Sequence, residues 1–205
     1  MRKKPITAGE LMAQLANDPE YQARMAKRDA EFAKRDAELD DAEQPLLNAL
    51  RGVGVDVTTV YDLVNTRAAY PEALPVLLEH LPRPYPVEIR EGIARALAVR
   101  GARFAWHQLR ELYEAERDQR MRDVLALALA NAADEDVLEE VIAIARDTSY
   151  GDSRSFMLLA LKRFKNDPRA WDAIQDLATD PVFEYEIGRY MKGREKRKAK
   201  KPPFA

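Results

Sequence analysis

Apolar positions recur between residues 89 and 161 with a step of 32 residues. Three nine-residue segments share the pattern, at residues 89–97, 121–129 and 153–161. Each has arginine at the second place, an apolar residue at the fifth, alanine at the eighth and leucine at the ninth. Apolar residues three and four positions apart lie on one face of a helix, so the pattern predicts three equivalent helices in successive repeats.

Another amphipathic helix is predicted before each of these segments, over residues 71–81, 104–115 and 135–146. Helix-breaking or helix-capping residues separate the partners, namely the prolines after residue 81, Asp118, and Gly151 with Asp152. A single helix pair cannot bury its apolar stripe, so the pairs are expected to stack and stabilise their neighbours. No sustained alternation of apolar and polar residues predicts a strand.

The pattern weakens at both ends of this region. A fourth pair, over residues 169–178 and 181–192, follows after a shorter step, and Glu184 stands where the arginine is expected. At the other end, Pro45 is predicted to begin a helix, and Asp56 or Thr58 to cap the next one. Terminal repeats of a stack are atypical because one of their faces meets solvent, so both pairs are predicted to be caps.

The segment 89–97, with Ile-Arg at its start and Ala-Leu at its end, resembles the second helix of HEAT repeats in their short bacterial form, which is related to the phycobilin lyase repeats. The resemblance covers residues 70 to about 165. It implies an all-α, right-handed α-solenoid of antiparallel helix pairs whose second helices line a concave face. The HEAT-like solenoid is predicted over residues 44–191, with pairs at about 44–66, 70–101, 102–133, 134–166 and 167–191.

A charged N-terminal arm is predicted over residues 1–43, with one long helix at 7–40. Its sequence contains a seven-residue duplication at 26–32 and 33–39, which places Met25, Phe32 and Leu39 on one stripe. Two hypotheses fit this stripe. The arm lies on its own body, or it is a dimerisation or partner-binding helix that makes the protein a homo-oligomer through residues 7–40.

Charge is distributed unevenly along the chain. Residues 192–205 contain seven basic and one acidic residue, which leaves 26 basic and 34 acidic residues in 1–191. Clustered basic residues are needed to bind phosphates, so the acidic body makes nucleic acid an improbable partner, except through weak attraction to the tail. We predict that the basic tail, 192–205, is disordered.

The composition also excludes several classes of site. The chain has no cysteine, which excludes disulfides and thiolate chemistry, and no apolar stretch long enough to span a membrane. It lacks the apolar core of a signal peptide, so a cytoplasmic location is expected. His80 and His107 have no partners at metal-ligand spacing and are interpreted as surface or packing residues.

No constellation of catalytic residues is found. Ser153 and Ser155 lie at a helix start, where serine usually caps, and no nucleophile elbow surrounds them. Adjacent acids such as Glu139 and Glu140 diverge around a helix and do not converge as acid–base catalysis requires. We therefore expect a protein that is not an enzyme and that has no catalytic residues, cofactor or metal.

The arginines at the second place of the register, Arg90, Arg122 and Arg154, are the most regular polar feature. Their periodic identity favours a structural ladder, in which each pairs with an acid or a carbonyl of a neighbouring repeat. The alternative is that they present hydrogen-bond donors to an acidic partner.

The outward-facing places of the second helices carry a surplus of apolar residues, including Leu127, Leu158 and Leu159. A helix that is apolar on nearly all sides is covered by something. The covering element could be the N-terminal arm, a second protomer, a partner protein or simply the middle of the stack. The residues predicted to bind a partner are Glu91, Arg95, Asp123, Leu127, Ser155 and Leu159.

These observations predict a non-catalytic scaffold that binds a partner protein on the concave face. An immunity-like protein that covers a basic toxin is one version, because the body is acidic. The alternatives are an accessory subunit or enzyme of the HEAT-like lyase or glycosylase type, and an oligomer assembled through the arm. The glycosylase hypothesis is disfavoured because it needs a basic groove.

Overall fold

The structure, a computed structural model, describes residues 6–199, with side chains described through residue 194. Every regular element in this range is helical, as the sequence predicted. The α-helices are α1 Ala8–Ala16, α2 Pro19–Gly52, α3 Val60–Asn65, α4 Ala73–His80, α5 Val87–Ala96, α6 Trp106–Ala115, α7 Gln119–Ala132, α8 Leu138–Arg146, α9 Met157–Arg163, α10 Pro168–Asp176 and α11 Glu184–Ala199. Three 3₁₀ segments, Arg100–Ala105, Thr148–Phe156 and Leu177–Thr179, join some of them.

The described part of the chain divides into two compact units between Gln44 and Pro45. In the first unit, the single helix predicted over 7–40 is wrong, because α1 ends at Ala16 and α2 begins at Pro19. Proline disfavours a helical conformation of the residue before it. The Asp18 carboxylate then accepts hydrogen bonds from the backbone N–H groups of Glu20 and Tyr21, at 2.9 and 3.1 Å, and so caps the new helix.

The predicted helix start at Pro45 is also wrong, because α2 runs through this residue to Gly52. Proline removes one backbone hydrogen bond from a helix interior, and other interactions must compensate. In the second unit, Leu46 and Leu50 are fully buried on the turns that follow. Their burial favours continuation of the helix past the proline.

Three helix pairs form the middle of the second unit. Helix α4 packs on α5, α6 on α7 and α8 on α9, while α3, α5, α7 and α9 pack on one another in succession. The alanines at the eighth place of the register, Ala96, Ala128 and Ala160, are fully buried. Small residues there allow neighbouring helices to approach closely.

The burial of Leu158 contradicts the prediction that the sixth register place faces outward. Leu158 stands at this place, but it is only 3% exposed. Ala94 and Ala126 at the equivalent places are also buried. The sixth place is buried because the second helices pack side by side, so that two flanks of each helix are covered.

The third repeat begins later than the pattern predicted. Helix α9 starts at Met157, and the preceding residues form a 3₁₀ segment in which Gly151 has a φ of 59°. This left-handed conformation favours glycine, so the chain reverses direction there at little cost. The residue that caps α3 also differs from the prediction of Asp56 or Thr58, since Thr59 caps this helix in a capping box with Asp62.

The prediction of a disordered tail over 192–205 is wrong for its first part. Helix α11 continues through residues 192–199, and residues 200–205 lie outside the described range. Lysine, arginine and glutamate are good helix formers, and basic side chains are favourable at a helix C-terminus. Within residues 6–199, no helix has the length and apolarity needed to cross a membrane.

Candidate functional site

The arginine ladder is partly an inter-repeat structure. Arg90 donates a hydrogen bond to Glu116 at 2.9 Å, and Arg154 donates one to Asp180 at 2.9 Å. Each acid lies 26 residues after its arginine, at the end of the first helix region of the next pair. The hydrogen bond from Arg154 lowers the pKa of the Asp180 carboxyl.

Arg122 departs from this arrangement. Its guanidinium donates to the backbone carbonyl of Glu116, at 3.2 and 2.6 Å, within its own pair. Burial by itself would raise the pKa of Glu116. Hydrogen bonds from the backbone N–H groups of Asp118 and Arg117 and from Arg90 outweigh it and lower that pKa. Arg90 and Arg122 thus converge on a single acidic residue.

Glu91 must be removed from the predicted partner-binding set. Its side chain is buried at 1% exposure, and Arg120 donates to its Oε2 at 2.9 Å. Arg120 belongs to the next pair and covers the carboxylate from outside, so the charge is compensated within the molecule.

The other five predicted residues keep some contact with solvent. Arg95 is exposed, Leu159 is 44% exposed, and Asp123, Leu127 and Ser155 are half-buried. They occupy the third and seventh register places of α5, of α7 and of the α9 repeat, helices that pack successively. We call these five residues the second-helix face. The face combines exposed leucine with single charges of both signs.

A cleft that the sequence analysis missed opens beside this face. It encloses about 420 Å³ and lies where the C-terminal ends of α3 and α5 meet the chain around residues 66–71. We call it the apolar cleft, since most of its lining residues are apolar, among them Leu63, Val64, Leu74, Ala98 and Val99. Arg67 and Arg95 are the charged residues that line it.

A second cleft, of about 530 Å³, lies at the C-terminal end of α7. Its lining includes the arginines Arg100, Arg103 and Arg163 and the acids Asp134, Glu135 and Asp136. We call it the arginine cleft. Its position matches that of the apolar cleft, because both lie beside the loops that leave second helices. The segment 99–103 contributes residues to both clefts.

Arg163 has a structural role in the arginine cleft. It donates to the backbone carbonyls of Ala130 and Asn131, at 3.1 and 3.4 Å, and to that of Ala133. These carbonyls belong to the end of α7, which otherwise lacks partners for them. Burial lowers the pKa of the Arg163 guanidinium, and the positive charge of Arg100 lowers it further.

Four exposed arginines around the two clefts lack such partners. Within the described side chains, Arg67, Arg95, Arg100 and Arg103 form no hydrogen bond or ion pair. Elsewhere in the second unit most arginines pair with acids, among them Arg83, Arg90, Arg110, Arg120, Arg146, Arg154 and Arg169. These four arginines therefore leave uncompensated positive charge beside the clefts.

The two histidines lie in different environments. His80 is buried and forms a 2.7 Å hydrogen bond with the Tyr85 hydroxyl, and burial lowers the pKa of its ring. His107 is exposed. Through residue 194 of the described chain, no group of three or more histidine, aspartate or glutamate side chains is placed to hold a metal ion.

A buried pair of hydroxyl groups links two elements of the second unit. Tyr113 and Ser153 share a 2.8 Å hydrogen bond, and burial raises the pKa of Tyr113 to about 12. Ser153 also donates to the Tyr150 carbonyl at 2.8 Å. Tyr113 therefore stays protonated at neutral pH and joins α6 to the 3₁₀ segment before α9.

Comparisons with known protein families, with curated proteins and with solved structures return no match for this chain.

Proposed function

We propose that this chain is a non-catalytic, HEAT-like scaffold that binds a partner protein on the second-helix face. In this proposal the helix pairs form a right-handed solenoid, and the second helices line its concave side. The successive packing of α3, α5, α7 and α9 supports this arrangement. The ladder arginines form hydrogen bonds within the molecule, which supports a structural role for them. Partner binding is therefore assigned to the residues of the second-helix face.

The proposal rests on the exposure of the residues at the seventh register place. Arg95, Leu127 and Leu159 occupy it on three successive second helices, and Leu159 keeps 44% of its surface exposed. Large apolar side chains in the middle of a helix stack normally contribute to its core. An exposed leucine beside a half-buried one, with charged residues around them, is typical of a protein-binding patch.

Replacing Leu159 by glutamate tests the proposal directly. We expect affinity capture with the wild-type chain to recover specific proteins that the Leu159→Glu variant no longer retains, because a buried contact would be replaced by an unpaired charge. The variant should fold, since this side chain is already partly in water, and circular dichroism checks this. Quantitative mass spectrometry of the captured proteins measures the difference.

Tyr185→Glu is the matched control. Among the described large apolar residues, Tyr185 is the most exposed, at 73%, and it lies on α11, which carries none of the five residues of the second-helix face. Its substitution should leave capture unchanged. Equal capture by the wild type and both variants would contradict the proposal, as would a wild-type chain that retains nothing above background.

Self-association through the arm is a second candidate function, and the exposure of its stripe favours it. Phe32 is 59% exposed on α2, while Met25 and Leu39 at the preceding and following heptad positions are half-buried. Arg28 lies 5.8 Å from the Phe32 ring centroid, which gives the ring only partial cover. A heptad stripe with an exposed aromatic residue at its centre suits packing against another helix.

The charges beside this stripe bear on whether two arms would pair in parallel or antiparallel orientation. Arg28 and Arg35 lie three residues after Met25 and Phe32, and Asp29 lies four residues after Met25, so arginine and aspartate flank opposite sides of the stripe. Asp36 extends the aspartate side. In a parallel pair of identical helices the two different edges meet, whereas in an antiparallel pair like edges meet. Arg28 pairs with Asp29 of its own helix at 3.2 Å, so a parallel dimer would exchange this ion pair for contacts between the two chains.

Light scattering over a range of concentrations tests the arm. We expect the wild-type mass to rise toward that of a dimer with concentration, and the Phe32→Glu variant to remain monomeric because the substitution places a charge on the stripe. Ala30→Glu is the control, since Ala30 lies on the far side of α2. A wild-type chain that stays monomeric at every concentration would eliminate the dimer.

A further inference from the structure

We propose that the apolar cleft binds an acidic peptide segment of the partner protein, with one apolar side chain inserted between α3 and α5 and its flanking carboxylates bound by Arg67 and Arg95. This inference rests on the proposed scaffold function and names the chemistry of the partner. It concerns a site next to the second-helix face, and Arg95 belongs to both.

The cleft has the size and the lining for a single large side chain. Its volume of about 420 Å³ falls in the range of pockets that bury small ligands. Leu63, Val64 and Leu74 line it, and the Tyr70 hydroxyl, which donates to the Ala96 carbonyl at 2.9 Å, fixes another part of the wall to α5. A leucine or an aromatic side chain that entered would leave water for an apolar environment, which is favourable in proportion to its area.

The wall of the cleft also depends on a glycine. A Cβ atom on Gly101 would lie 3.0 Å from Leu74 Cδ1, closer than side chains normally pack. The 3₁₀ segment therefore approaches α4 closely, and the floor of the cleft is fixed by close packing between backbone and side chain. A site of this kind is present before the ligand arrives, which lowers the entropic cost of binding.

The unpaired guanidinium groups define the charge of the ligand. Arg67 and Arg95 are exposed beside an apolar wall, and neither has an acidic partner in the described part of the second unit. Arginine binds carboxylates through paired hydrogen bonds, and these bonds strengthen where apolar surface excludes water. Arg100 and Arg103 continue the positive surface along the shared segment 99–103. Phe104, which is 56% exposed, follows them.

A nucleic acid fits this surface less well than a peptide does. Beyond the segment 99–103, the charged residues of the arginine cleft are Arg163, which is bound to backbone carbonyls, and the three acids Asp134, Glu135 and Asp136. The acids predominate and would repel a continuous polyphosphate backbone. Residues 1–191 together carry more acidic than basic side chains. A peptide can present its carboxylates only where the arginines are, and it can supply the apolar side chain that the cleft accommodates.

Fluorescence anisotropy with short labelled peptides tests the inference. The probes carry Asp and Glu on both sides of one central Leu, Phe or Trp, and the matched peptides replace either the acids by Asn and Gln or the central residue by Ser. We expect at least one acidic apolar probe to bind about tenfold more tightly than both of its matched peptides. The double variant Arg67→Ala/Arg95→Ala should lose about tenfold in affinity, as removal of charge-assisted hydrogen bonds predicts.

The control is Arg117→Ala, which removes an exposed arginine outside both clefts and should leave the affinity unchanged. Failure of every acidic apolar probe to bind would overturn the inference, and so would equal binding by the wild type and the double variant. Competition by single-stranded DNA at equal phosphate and carboxylate concentrations would also overturn it, in favour of a nucleic-acid site.

The Leu159→Glu variant separates this inference from the proposed function. It should bind the peptides normally, because Leu159 is not part of the cleft lining. If the peptides bind and the double variant loses them while Leu159→Glu captures the same proteins as the wild type, the cleft stands and the second-helix face fails. If no peptide binds while Leu159→Glu loses its captured proteins, the face stands and the cleft fails.

Discussion

Replacing Arg154 by alanine should lower the free energy of unfolding of the second unit by about 3 kcal/mol, the range expected when one member of a buried ion pair is removed. Arg154 is 4% exposed, donates to the Ala145 carbonyl at 2.9 Å, and pairs with Asp180. Its guanidinium also lies 5.1 Å from the Phe183 ring centroid. The substitution would leave a carboxylate and a carbonyl without their donor and open a cavity beside the ring. Urea denaturation followed by circular dichroism measures the loss.

Arg90→Ala is the matched comparison, because it removes the same residue type from the same register place. The Arg90 and Glu116 side chains are 27% and 13% exposed, so water can replace part of the lost interaction. We expect a loss of about 1 kcal/mol, nearer to that of a solvent-accessible ion pair. Equal losses for the two variants would show that burial does not decide the strength of the ladder contacts.

Gly92→Ala should destabilise the second unit by about 2 kcal/mol, although alanine is the better helix former by about 1 kcal/mol. An added Cβ would lie 2.4 Å from Val60 Cγ1 and 3.1 Å from Tyr61 Cε2, so that α3 and α5 could no longer approach as closely. Valine has few rotamers in a helix and cannot move its methyl group away cheaply. Chemical denaturation of the variant measures the change.

Two further variants isolate the steric cause. Gly188→Ala in α11 has no neighbouring atom within 4 Å of the added Cβ, so it should stabilise the chain by up to about 1 kcal/mol. In the double variant Gly92→Ala/Val60→Ala, the closest of these contacts, with Val60 Cγ1, is absent, and the combined loss should be smaller than the sum of the two single losses. Strict additivity would rule out the close contact as the cause.

The periodic part of the fold was predictable because the same packing recurs. Ala96, Ala128 and Ala160 meet equivalent neighbours in successive repeats, so one residue type is selected at each and the register can be recognised. Helix ends in the arm were not predictable from that periodicity. The break before Pro19 and the continuation through Pro45 depend on whether the flanking residues have a capping carboxylate or a buried face, and identical residues lead to opposite outcomes.

The site was less predictable for a related reason. Glu91 was assigned to the surface because it occupies the third register place, which was expected to face outward, but its burial depends on Arg120, which lies in the next pair and outside the aligned nine-residue segments. The apolar cleft combines residues from α3, the 66–71 chain, α4, α5 and the following 3₁₀ segment, and none of its arginines recurs with the repeat. Whether a charged side chain is paired depends on its neighbours in space. The spacing of residues along the chain does not reveal these neighbours.

The contact between Arg154 and Asp180 has a consequence for how the molecule opens. In an array whose helix pairs interact only through apolar faces, the terminal pair frays first and its neighbour loses little beyond contact area. Here the last helix pair supplies both the carboxylate and the aromatic ring that surround a charge buried in the pair before it. Fraying would uncover that charge and remove its partner together, which couples the C-terminal end of the chain to the middle and makes their unfolding cooperative.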